Sequence, residues 1–144
     1  MATSVQIVID CADPESLASF WAEALGYKVQ DPPPGYTRWE DWLREHGIPE
    51  ERWNAASAVV DPDGKGPRFF FQRVPEQKTA KNRMHVDLNV SKKREVGEEE
   101  GRRRVDSEVD RLVSLGATRV GANDQHGEYW VVMQDPEGNE FCVQ

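Results

Sequence analysis

Cysteine is scarce in this chain: Cys11 and Cys142, one near each end, are the two that 144 residues provide. They make neither a disulfide framework nor a metal-type spacing with each other or with the three histidines, His46, His85 and His126. A reducing, cytoplasmic setting is the expectation. Cations are also in deficit. Eighteen Lys and Arg stand against 26 Asp and Glu, a net charge of −8, which argues against nucleic acid because phosphate contacts need a basic face that releases counterions. Long apolar runs are missing too. The opening MATSVQIVIDCADPE has no basic segment and meets Asp10 and Asp13 after a short apolar run. It reads as a first strand, not as a signal peptide or a membrane span.

What the chain does have is a repeated grammar. VQIVID alternates Val5, Ile7 and Ile9 against Gln6, Val8 and Asp10, the period of a strand with one apolar face. A helix should follow: Asp13 can cap it, Pro14 suits its first turn, Leu17, Phe20, Trp21 and Leu25 form a stripe, and Gly26 stops it. From His85 the order returns. HVDLNV alternates His85, Asp87 and Asn89 against Val86, Leu88 and Val90, and Val105, Val109, Leu112 and Val113 form a second stripe that ends at Leu115-Gly116. The second copy is longer, its extra residues falling in the charged run SKKREVGEEEGRRR, which reads as a solvated loop or helix extension. After each Leu-Gly come three β segments: Tyr27 to Gln30, Ala56 to Val60 and Arg68 to Val74, then Thr118 to Val120, Tyr129 to Gln134 and Glu140 to Val143. Both copies also run a strand into Asp-Pro-acid-Gly, at SAVVDPDGKGPRFFFQRV and WVVMQDPEGNEFCVQ. The fold class is therefore α+β with two βαβββ modules: module one about 4–74, a linker about 75–83, and module two about 84–144, in one domain spanning 1–144. An insertion in the first copy, DPPPGYTRWEDWLREHGIPEERWNA, carries three of the five Trp residues, and the spacing of Trp39, Trp42 and Leu43 predicts a short amphipathic helix. A lid and a plug with its tryptophans in the core are both open readings.

The paired βαβββ order, with IDCADPESLASFWAEALGY, VVMQDPEGNEFCV and the joining QRVPEQKTAKNRMHVDL, resembles the vicinal oxygen chelate superfamily, and its glyoxalase-like proteins in particular, over nearly the whole chain. The resemblance implies a cup-shaped, partly open mixed sheet with helices on the outside. It also implies a substrate held in the cup, commonly with a divalent metal, and a homodimer that covers open sheet edges. The family's metal positions fall on Gln6, Gln72, His85 and Cys142, with Glu140 the carboxylate that a register slip would bring inward. Two amides, one imidazole and one thiol are a poor set for a hard ion, so the expectation is no resident metal, with zinc the choice if one binds.

His85 and Asp87 share a strand face about 7 Å apart along the chain and are the acid and base candidates. A hydrogen-bonded structural histidine is the plainer reading. For the basic cluster Arg73, Lys78, Lys81 and Arg83, a clamp for an anion stands against a solvated linker. The functional expectation is a protein that binds a small, partly aromatic metabolite or antibiotic-like compound through Gln6, Gln72, His85, Asp87, Cys142, Trp39 and Trp130. The alternative is a metal-dependent lyase, isomerase or dioxygenase, and whether the protein is an enzyme stays open.

Overall fold

The computed structural model describes residues 1–144, which form two compact units, Met1–Gln77 and Lys78–Gln144. The first contains β1 (Ile7–Cys11), α1 (Pro14–Leu25), β2 (Lys28–Val29), α2 (Trp39–Glu45), a 3-10 turn (Glu50–Arg52), β3 (Ala56–Val60) and β4 (Phe69–Arg73). The second contains β5 (Asp87–Leu88), α3 (Lys93–Val96), α4 (Glu98–Ser114), β6 (Thr118–Gln125), β7 (Glu128–Gln134) and β8 (Glu140–Val143). Their sheets have one topology, β1-β4-β3-β2 and β5-β8-β7-β6. In each, the first strand lies parallel to the last and the other pairs are antiparallel. The α+β class and the twofold βαβββ order expected from the sequence are both present.

Local chemistry sets α1. Asp13 caps it by accepting from the Ser16 amide at 3.2 Å, Pro14 opens it, and Gly26 closes it in the left-handed region. Its buried stripe, Leu17, Ala18 and Trp21, packs on β3 and β4, with the Trp21 and Phe69 rings 5.8 Å apart and Val59 and Phe71 fully enclosed. In the second unit Val105, Val109 and Leu112 of α4 cover Val131, Met133, Phe141 and Val143, all at 3% exposure or less. Burying such side chains contributes roughly 1.5–3 kcal/mol each, the main source of stability in either unit.

The repeated Asp-Pro-acid-Gly turns serve one purpose. The Asp61 carboxylate accepts from the amides of Asp63, Lys65 and Gly66 at 2.7–3.0 Å. Asp135, 2% exposed, accepts from the amides of Glu137 and Asn139 and from the Asn139 side chain. Gly64 and Gly138 take positive φ, which those tight turns require. Each turn delivers the chain into the last strand of its sheet.

Several expected boundaries differ. Val5 is 74% exposed and precedes β1, and β5 keeps two ladder residues, Asp87 and Leu88 opposite Cys142 and Val143, where six were expected. Of the two readings of the charged run, helix extension is the one present, as α3 and the first turns of α4. β6 extends five residues past Val120 to form a hairpin with β7. The helix expected over Trp39 exists as α2, with Trp39, Trp42 and Leu43 half-buried and no residue fully enclosed. Trp39 and Trp42 meet edge to face at 5.8 Å, and the Trp39 indole N–H donates to the Gln30 carbonyl at 2.8 Å. No helix is long and apolar enough to cross a membrane.

Candidate functional site

Three ligating groups come together in the second unit. β5 lies parallel to β8 with Asp87 opposite Cys142, and the Cys142 amide donates to the Val86 carbonyl at 3.0 Å. His85, two residues before Asp87, falls on the same face by strand alternation. The imidazole, carboxylate and thiol ligand atoms all lie within 4.8 Å of one another, with His85 Nε2 and Asp87 Oδ1 3.4 Å apart. The cluster is open on one side: His85 and Asp87 side chains are 40% and 42% exposed, whereas Cys142 is 8% exposed.

The remainder of that face follows from register. Val132 stands opposite Cys142, and Gly121 opposite Val132. One row along, Trp130 faces Asn123, and the Gln144 side-chain Nε2 donates to Asn89 Oδ1 at 2.8 Å. Trp130 is therefore a half-buried aromatic on the face of His85, Asp87 and Cys142. Glu140 shares the face without any slip of register, and its carboxylate is already engaged. It accepts from the Asn82 amide at 3.0 Å and pairs with Lys78 at 3.2 Å. The Asn82 hydrogen bond, helped by Lys78, holds Glu140 down at about 2.

Burial pushes the Cys142 thiol up from its ordinary range and the Asp87 charge adds to this, while Lys81 pulls the other way. The free thiol is thus held protonated at neutral pH. Cys11 is likewise buried and outside any disulfide, its S–H directed at the Gln72 carbonyl at 3.6 Å.

Gln6, Gln72 and Trp39 belong to the first unit. Gln6 precedes β1 and its Oε1 accepts from Arg68 at 2.7 Å, while Gln72 stands opposite Asp10. Gln6 lies four positions before Asp10, so the two glutamines lie about 13 Å apart along one sheet face. Asp87 is what the sequence undervalued. It was legible as a neighbour of His85, but its place beside Cys142 depends on a pairing between residues 55 positions apart. With Asp87 included, the donor set holds a carboxylate, a thiol and an imidazole. Tetrahedral zinc with bonds of about 2.0–2.3 Å separates its donors by about 3.3–3.7 Å. Small side-chain adjustments would close this triangle to that size, so the residues fit zinc better than a hard ion.

Residues 6–144 match the model of a family described as "Glyoxalase-like domain". No curated protein matches the chain. Among solved structures it is similar to a glyoxalase/bleomycin resistance protein/dioxygenase family enzyme from Burkholderia phytofirmans PsJN, at 15% identity and TM-score 0.60, over 96% of this chain and 94% of that one. A protein from Bacillus cereus described as a possible glyoxalase matches at 16% identity and TM-score 0.62, over 100% and 99%. A mutant of the fosfomycin resistance protein FosX from Listeria monocytogenes, in complex with Mn(II) and 1S,2S-dihydroxypropylphosphonic acid, matches at 9% identity and TM-score 0.63, over 100% and 90%. At these identities the solved structures speak for the fold alone.

Proposed function

The chain belongs to the glyoxalase-like domain family, and on that premise we propose that it binds a small molecule at His85, Asp87 and Cys142, with zinc as the metal this site accepts. The observation that carries the reading is the convergence of three different ligand groups within 4.8 Å. Three protein ligands that leave a position open are the pattern of zinc sites that take water or substrate, and a metal there would polarise an oxygen of the bound compound. The protein's own contribution is orientation. The 3.4 Å approach of Asp87 to His85 fixes the edge that the imidazole presents. Trp130 offers an apolar wall on the same face.

A second reading, a metal-free binder, is favoured by the raised Cys142 thiol, since zinc must displace that proton. Calorimetric titration of chelator-treated protein with zinc separates the two. One equivalent bound, weakened at least tenfold in His85→Ala and in Asp87→Asn, is the expected outcome. Zinc binding indifferent to both substitutions sinks the site. No zinc binding, with ligand-induced thermal shifts that survive chelator, moves the reading to the metal-free binder. The lyase, isomerase or dioxygenase alternative requires turnover that chelator abolishes. The same reading includes a homodimer, since β1, β2, β5 and β6 are sheet edges in their own units, and light scattering giving a mass near that of one chain refutes it.

A further inference from the structure

Phe69 and Phe71 pack under α1, so Arg68, Phe70 and Gln72 take the opposite face of the first sheet. Neutral groups hold Arg68 there. Its Nε donates to Gln30 Oε1 and its Nη1 to Gln6 Oε1, each at 2.7 Å, and its guanidinium lies over the Phe70 ring, 5.2 Å from the centroid. Both amide oxygens are turned to the arginine because a guanidinium can only donate. The Gln30 backbone is fixed on both sides, its N–H donating to the Ala58 carbonyl at 2.9 Å and its C=O accepting from the Trp39 indole at 2.8 Å.

No carboxylate pairs with this cation, in a chain with 26 acidic residues against 18 basic ones. The acidic groups around it are engaged elsewhere. Asp31 pairs with Lys28 at 2.7 Å, and Asp61 accepts from the amides of its own turn. Asp10 shares the face but stands opposite Gln72, four positions beyond Arg68 and so about 13 Å along the strand. What stays unused is a set of donors: Nη2 of Arg68 and the Nε2 groups of Gln6 and Gln30, none of which has a partner. Beside them Val8, Phe70 and Ala58 form one row across β1, β4 and β3, and Val8 is 51% exposed.

We propose that Arg68, Gln6 and Gln30 form an anion-binding site for a carboxylate attached to a flat apolar body, the carboxylate meeting the free guanidinium edge and the body lying against Val8 beside Phe70. A guanidinium stacked on a ring keeps its N–H bonds in its own plane, where a carboxylate can accept them. The two glutamines set the angle of that plane. The site belongs to the first unit and is independent of His85, Asp87 and Cys142, so either reading can fail alone.

Benzoate and benzamide share a shape and differ in charge, which makes them suitable probes. Each is titrated into the full-length protein and followed by the Nε–H signal of Arg68 and the backbone amides of Val8 and Phe70. Benzoate is expected to bind at least about tenfold more tightly than benzamide and to move all three signals. Gln6→Glu sets a carboxylate of the chain itself against Arg68 and should bring the ratio below about twofold. Position 6 is exposed, so this substitution should not lower the melting temperature. Arg68→Gln should abolish the preference as well, and where that variant is too unstable to measure, Gln6→Glu carries the test. Equal binding of the two probes, a preference that survives Gln6→Glu, or benzoate shifts confined to other residues overturns the inference.

Discussion

Asp87 and Cys142 stand directly opposite each other on adjacent parallel strands, so a carboxylate and a thiol share one patch of sheet. Their mutual effect is unfavourable to the thiolate. Burial raises the thiol's pKa first and the Asp87 charge raises it further. A thiol held above its unfolded value contributes stability that is fully present below that value and lost as pH rises through the folded one.

Removal of the Asp87 charge should therefore release the thiol. In Asp87→Asn, alkylation of Cys142 by iodoacetamide at pH 8 is expected to be about 2- to 5-fold faster. Peptide mass mapping distinguishes it from Cys11. An unchanged or slower rate contradicts the electrostatic account.

Glu140 has the opposite sign. Its folded pKa lies near 2, below the ordinary carboxylate range, so its contribution is present above about pH 4.5 and disappears as pH falls toward 2. Glu140→Gln should cost about 1–2 kcal/mol at pH 7, the loss of hydrogen bonds to a charged acceptor, and should flatten urea stability between pH 4.5 and 2. A variant with the wild-type acid profile shows that the contacts of Glu140 with Asn82 and Lys78 contribute nothing.

Asp135 is buried with amide donors aimed at its carboxylate. Asp135→Asn turns an acceptor into a partial donor among donors, and urea unfolding should report a loss of about 2–3 kcal/mol. Asp61, which plays the same part in the first module and is half-buried where Asp135 is enclosed, should lose less on the same substitution. Equal losses refute the burial argument.

Gly66 has no room for a side chain: a Cβ there collides with the Tyr27 hydroxyl. Gly66→Ala should cost about 1–3 kcal/mol, and Tyr27→Phe should recover part of it in the double variant. Additive losses in the double-mutant cycle argue against that contact.

Much of this was legible because it is local. The capped helix α1 follows from Asp13, Pro14, the Leu17–Trp21 stripe and Gly26, residues that touch one another within a few turns. β3 and β8 fall on the residues their alternation predicts. The short amphipathic helix at Trp39 was legible from spacing, but the half-burial of its apolar face was not, because periodicity shows which residues share a face and not what covers it. The length of β5 was lost for the related reason that a strand is defined by its partner.

The sequence by itself determined the repeated βαβββ order, the two turns and the presence of His85 and Asp87 on one strand face, since each depends on neighbours within a few positions. Only the tertiary structure decided that Cys142 completes their group and that Glu140 fastens Lys78 and Asn82 beside it. Those contacts join segments more than fifty residues apart, whose meeting is set by strand register.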